Sequence, residues 1–118
     1  MKRTASGISF EQGEILLISF PFGDLSTTKK RPVLVLSKKR YNDSSSDFIC
    51  CGITSNLDNK SHSVLVERSD VRGGSIPKTS RIKFNKIFTL EKSLVVKRLG
   101  RIEDKKFHQV REALIEIV

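Results

Sequence analysis

The sequence predicts a mainly β protein with one C-terminal α-helix, folded as a small, strongly bent barrel. Three observations carry this expectation. Five or six short apolar runs alternate with turn-forming residues. From Glu103 onward the apolar period changes from two to about 3.6. The chain has 118 residues, enough for one packed core and too few for two. So short a sheet, left open, would expose unpaired edges, and curling it into a barrel removes them.

Residues 1–12 read as a flexible N-terminal extension and 13–118 as a single domain. A first apolar strand covers 13–20 and is closed by Pro21. The polar stretch 23–30, with Gly23, Ser26, Thr27 and Thr28, is longer than a hairpin needs and reads as a mobile lid. Residues 31–36 (RPVLVL) form a second strand and 48–54 (FICCGIT) a third, with turn formers over 41–46 between them. If that turn centres near Asn42 and Asp43, residues whose numbers sum to about 85 face each other, which sets Arg31 beside Thr54. Residues 63–67 (SVLVE) alternate weakly and read as a strand. The stretch 70–77 contains Gly73-Gly74 and breaks regular structure. Further strands fall at 80–84 and 94–99, joined through 88–93, which has room for a helical turn. In the terminal helix Phe107, Val110, Leu114 and Ile117 share one face, with Lys105, Gln109, Glu112 and Glu116 off it.

The formal net charge is +9, which points to a polyanionic partner such as nucleic acid, an anionic membrane or an acidic protein; the alternative is a basic surface that serves only solubility. No run approaches the roughly 20 apolar residues of a membrane span, and the N-terminus lacks the apolar core of a signal peptide, so a cytoplasmic location is expected. Cys50 and Cys51 are neighbours on a strand and point to opposite faces, so they neither bridge each other nor share a metal; they read as small core residues.

Composition also narrows the chemistry. The acids are scattered, with no carboxylate or histidine pair at ligand spacing, so neither a two-metal nuclease nor a zinc site is legible, and no cofactor is expected. No serine elbow is present, and Gly73-Gly74 lacks the lysine and helix of a phosphate loop. Arg31 and Thr54 remain. Arginine offers planar, permanently charged donors suited to phosphate oxygens, and a threonine hydroxyl adds one more hydrogen bond. Such a pair can stabilise the charge of a phosphoryl transition state, and needs no metal where RNA supplies its own 2′-hydroxyl nucleophile. The plainer alternative is a solvated strand-end charge beside a β-forming threonine. His62 stands in the same position, as a distant base or as a loop histidine with no role.

The segments FEQGEILLISFPFGDLSTTKKRPVLVLS, DFICCGITS, GGSIPKTSRIKFNKIFTL and LVVKRLGRI, in this order, resemble the MazF/PemK family of toxin endoribonucleases, in particular its PemK-like branch. Gly13 with its strand, Arg31-Pro32, Ile53-Thr54-Ser55 and Leu99-Gly100 carry the resemblance. It implies an SH3-like barrel with a C-terminal helix, a homodimer, an acidic antitoxin as partner, and metal-independent cleavage of single-stranded RNA at short sequences to a 2′,3′-cyclic phosphate. The family's catalytic arginine and threonine fall on Arg31 and Thr54. Arg31 then stabilises the phosphorane and helps protonate the leaving oxygen, while Thr54 and Ser55 position the phosphate. The loop over 21–30 corresponds to the family's mobile loop, with Asp24, Lys29 and Lys30 as substrate or partner contacts. The chain departs from several members at Ser80-Arg81, where they carry an acidic residue and a glutamine; Arg81 then takes over a phosphate contact. Positive charge is expected to gather around the first hairpin, from Lys29, Lys30, Arg31, Lys38, Lys39, Arg40 and Arg81, as a groove shared by RNA and antitoxin.

Two other functions fit a basic barrel. A non-catalytic toxin of the gyrase-poisoning kind would have no use for Arg31 and Thr54. A nucleic-acid-binding barrel without chemistry would need exposed stacking platforms, and the aromatic residues lie mostly in apolar strands.

Overall fold

A computed structural model describes residues 9–21 and 28–118. Strands β1 (Glu14–Pro21), β2 (Thr28–Val35), β3 (Asp47–Thr54), β4 (Ser63–Val66), β5 (Val71–Arg72), β6 (Ser80–Glu91) and β7 (Val95–Ile102) form one sheet in the order β4-β6-β3-β2-β1-β7-β5. Every pairing is antiparallel. A short helix α1 (Lys39–Asp43) fills the connection between β2 and β3, where the sequence suggested a plain turn, and α2 (Asp104–Ile115) ends the chain.

The sheet is buried on both faces, which is why β2 reads as a continuous apolar run rather than an alternating one. Ile15, Leu34, Cys51 and Ile53 point into one core with Val110 of α2. Leu16, Val33, Val35, Phe48 and Cys50 point into the other. Phe10 belongs to this second core, is 1% exposed, and meets the Phe48 ring edge-on at 5.6 Å. Residues 9–12, read from sequence as part of an extension, are therefore packed, and Gln12 Nε2 donates to the Leu36 carbonyl at 2.9 Å.

The sheet curls into a half-barrel with β4 and β5 at its two ends. The turn Arg68–Asp70 links these ends, and α2 packs beside them: Lys106 Nζ donates to the Leu65 carbonyl at 3.0 Å and lies 3.6 Å from the Asp70 carboxylate. Phe107, Val110 and Leu114 face the core as their spacing predicts. Ile117 does not, because it lies beyond the last helical turn and is 46% exposed. Gly73-Gly74 has a packing role. A Cβ on Gly74 would sit 2.0 Å from the Leu99 carbonyl oxygen, so glycine is what lets this loop cross β7.

Two registers position the site. Val33 faces Gly52, Leu34 faces Cys51 and Val35 faces Cys50, the alignment expected from the turn residues. On the other side of β3, Cys51 pairs with Ile87 but Gly52 pairs with Lys83. Phe84, Asn85 and Lys86 thus have no partner on β3, and β6 bulges there. That bulge hides the strand in the sequence: β6 runs unbroken past Phe84 to Glu91, and the helical turn expected within 88–93 falls at Lys92–Leu94.

Candidate active site

A cavity of about 390 Å³ opens where the ladder between β2 and β3 ends, and Arg31, Thr54, Lys83, Lys86 and Asn59 line it together with Phe20, Pro32, Val33, Gly52, Ile53 and Phe88. Side-chain alternation explains the gathering. Val33, opposite Gly52, faces the Phe48 core, and so do residues two positions away on each strand, Arg31 and Thr54. Across β6, Lys83 stands opposite Gly52 and Arg81 opposite Thr54. Extending the β2–β3 register by two residues beyond its last ladder pair brings Arg31 level with Thr54.

Thr54 is half-buried, and its Oγ1 accepts the Asn56 amide at 3.1 Å. That bond orients the hydroxyl and leaves its proton to donate. Arg31 is exposed. Among the described residues no acidic side chain lines the cavity, and three cations stand there over an apolar floor.

Sequence reasoning missed Lys83. It is 4% exposed, and Nζ donates to Asn59 Oδ1 at 2.8 Å and to the Ser61 carbonyl. Among the described residues it pairs with no carboxylate. An ammonium has three donors, so one remains beyond these two bonds, in a side chain that lines the cavity. A buried cation compensated only by carbonyl oxygens raises the affinity of its surroundings for an anion.

The remaining expected contacts divide. Arg81 is turned toward the loop after Thr54, where Nε donates to the Leu57 carbonyl at 2.7 Å and a terminal nitrogen to Ser63 Oγ at 3.3 Å; it does not line the cavity. Arg81 and Lys83 together hold the segment between Thr54 and β4. Lys29 faces Phe20 across the ladder and shares the cavity's side of the sheet, whereas Lys30, opposite Ser19, points to the other side. Ser55 is exposed and outside the lining. Asp24 lies outside the described residues. His62 packs edge-on against Phe84 at 6.1 Å, on the other core, and takes no part in the cavity.

Among the described residues no three His, Cys, Asp or Glu side chains gather to hold a metal. Burial pushes the Cys50 thiol up to about 12 and Cys51 higher still, so neither is a thiolate nucleophile. The positive charge of the first hairpin is split rather than continuous. Lys38 and Arg40 lie past the far end of β2, beside Tyr41 and Ser44 around a second hollow of about 360 Å³, and Lys39 is engaged by Asp43 at 2.8 Å. No helix among the described residues is long and apolar enough to cross a membrane.

Similar folds occur among solved structures. A MazE-MazF complex from Deinococcus radiodurans superposes with a TM-score of 0.76 at 20% identity, over 93% of this chain and 96% of that one. An endoribonuclease in complex with its cognate antitoxin from a Mycobacterial species gives a TM-score of 0.71 at 19% identity, over 92% and 91%. An endoribonuclease from a Mycobacterial species gives 0.72 at 20%, over 92% and 90%. No curated protein matches the chain in sequence. The family described as PemK-like, MazF-like toxin of type II toxin-antitoxin system matches residues 11–118. With nearly its whole length matched and the barrel of MazF toxins in its fold, the chain belongs to the PemK-like, MazF-like toxins of type II toxin–antitoxin systems.

Proposed function

We propose that this toxin is a metal-independent endoribonuclease that cuts single-stranded RNA at short sequences. The observation that carries the reading is the convergence of Arg31, Thr54 and the buried Lys83 on one cavity. In the reaction the ribose 2′-oxygen bonds to the adjacent phosphorus and the bond from phosphorus to the 5′-oxygen breaks. The products are a 2′,3′-cyclic phosphate and a 5′-hydroxyl. The 2′-proton passes to solvent, and a cationic donor of the cavity supplies the proton taken up by the departing 5′-oxygen. The Arg31 guanidinium and the third donor of Lys83 meet the non-bridging oxygens, whose charge grows in the phosphorane. The Thr54 hydroxyl donates to the same group. Two of the folds it resembles belong to proteins named as endoribonucleases, which supports the same reading.

The toxin acts in the cytoplasm as a homodimer and is silenced by an acidic antitoxin. Incubating purified protein with single-stranded RNA in excess EDTA tests the reaction: cleavage with cyclic-phosphate ends is expected, and a 2′-deoxy residue at the cut should block it. A requirement for Mg²⁺, or efficient cleavage of the 2′-deoxy substrate, overturns the mechanism. Intact RNA together with blocked supercoiling by gyrase would identify a gyrase poison instead.

A further inference from the structure

Lys83 and Lys86 both line the cavity, although residues three apart on a regular strand point to opposite faces. The β6 bulge removes the conflict. Gly52 pairs with Lys83, but one step back along β3 Cys51 pairs with Ile87. Lys83 therefore shares the face of Gly52, and Lys86, the neighbour of Ile87, shares it too, while Phe84 turns into the core that α2 covers. Lys86 starts close to Gly52: its Cβ lies 3.9 Å from where a side chain on that glycine would begin.

One cavity thus holds two lysines in unlike surroundings. Lys83 is buried, with two of its protons committed to Asn59 and Ser61. Lys86 is exposed, and among the described residues its ammonium has neither a hydrogen-bond nor an ion-pair partner. An acid that gives up a proton at every turnover must regain one from water, and of the two lysines the exposed one is open to water. Arg31 is the wrong group for that task. A guanidinium meets charge on phosphate oxygens but does not deprotonate in proteins.

We infer that Lys86 is the general acid of the reaction: its ammonium protonates the 5′-oxygen as that oxygen leaves phosphorus, while Arg31 and Lys83 meet the non-bridging oxygens. This role rests on the ribonuclease reading. The 2′-oxygen bonds to phosphorus, the bond from phosphorus to the 5′-oxygen breaks, and one N–H bond of Lys86 breaks to give the new hydroxyl its proton. The 2′-proton passes to water, and the neutral amine takes a proton back from water before the next turnover. The protonation that the family resemblance gives to Arg31 falls instead to a residue of the bulge.

A change of leaving group separates this role from charge stabilisation. An RNA oligonucleotide with a mapped cut is prepared with sulfur in place of the bridging 5′-oxygen at the cut, because a thiolate departs without being protonated. Single-turnover cleavage of the ordinary substrate by Lys86→Met is expected to be about 10²-fold slower than by wild type, as when a general acid is lost. On the 5′-thio substrate the loss should shrink to less than about threefold. Lys86→Arg keeps the charge but not the acid, and should behave as Lys86→Met does. Arg31→Ala should lose as much on one substrate as on the other. Equal losses for Lys86→Met on both substrates, no loss on the ordinary one, or ordinary cleavage restored in Lys86→Arg would overturn the assignment. Rescue of Lys83→Met in place of Lys86→Met would overturn it too, by moving the acid to the buried lysine. A wild type that cleaves neither substrate fails the ribonuclease reading and this role with it; one that cleaves both, with Lys86→Met unrescued, fails this role alone.

Discussion

Lys83 on β6 holds Asn59, 24 residues earlier in the chain, through a hydrogen bond of 2.8 Å, and so ties the loop after Thr54 to the wall of the cavity. The lysine acts twice in this arrangement, once through that loop and once through the donor it has left. Methionine in its place keeps the length and removes the charge. Lys83→Met is expected to lower RNA cleavage by about 10²-fold, in the range seen when one preorganised donor is lost. The urea midpoint should move little, because the exposed loop carbonyls rehydrate while a buried charge is relieved of its desolvation. Cleavage by the variant within about threefold of wild type would reduce Lys83 to a structural tether.

Arg31 lies within β2 with its side chain exposed, so trimming that side chain should spare the fold. Arg31→Ala is expected to cost about 10² to 10³ in rate, and Arg31→Lys should recover little, since lysine keeps the charge but loses the planar fork. Single-turnover cleavage alongside thermal unfolding checks both halves. An alanine variant retaining more than about a tenth of wild-type rate would place the chemistry elsewhere.

Much of this site was legible because it depends on local rules. The turn around Asn42 and Asp43 aligned β2 with β3, and alternation then put Arg31 and Thr54 on one face of the sheet. Lys83 was not legible, since nothing in the sequence separates it from the other 21 of 22 basic residues; its burial arises from a contact between distant segments. The β6 bulge was hidden for a related reason. Phe84, Asn85 and Lys86 interrupt the period of two only because β3 passes them by. Arg81, expected as a phosphate contact, stands opposite Thr54, but the Leu57 carbonyl that turns it aside belongs to a loop whose path no spacing rule predicts.

Cys50 and Cys51 are fully buried on opposite faces of β3. Burial raises both thiols, Cys50 to about 12, against roughly 8.5 in the unfolded chain. The folded state therefore favours the protonated thiol. The stability this confers is fully present below pH of about 8.5 and is lost as pH rises toward the folded value. Replacing both cysteines by alanine should flatten the fall in unfolding free energy between about pH 9 and 12, measured by urea titration against wild type. At pH 8 neither thiol should react with a disulfide reagent unless denaturant is present. Rapid labelling of the native protein would show that the core opens far more often than this packing implies.

The separation of Lys38 and Arg40 from Arg31 bears on how an antitoxin could silence the toxin. At about 3.3 Å per residue the chain path from Arg31 to Lys38 is roughly 23 Å, so a short RNA bound at Arg31 does not reach the second hollow. A longer acidic segment, folding as it binds, covers both. Its carboxylates would displace phosphate at Arg31 while Lys38 and Arg40 steer its approach. Charge reversal at the far patch, Lys38→Glu with Arg40→Glu, should therefore slow antitoxin association about 10-fold at low salt and leave cleavage of a short RNA unchanged. The difference in association rate should shrink as salt is added, as screening of exposed charges requires. RNA and antitoxin should also exclude one another at the cavity. A ternary complex of toxin, saturating antitoxin and 2′-deoxy oligonucleotide, with the oligonucleotide bound as tightly as to toxin alone, would show that inhibition works from a separate surface and that the acidic segment never occupies the Arg31 site.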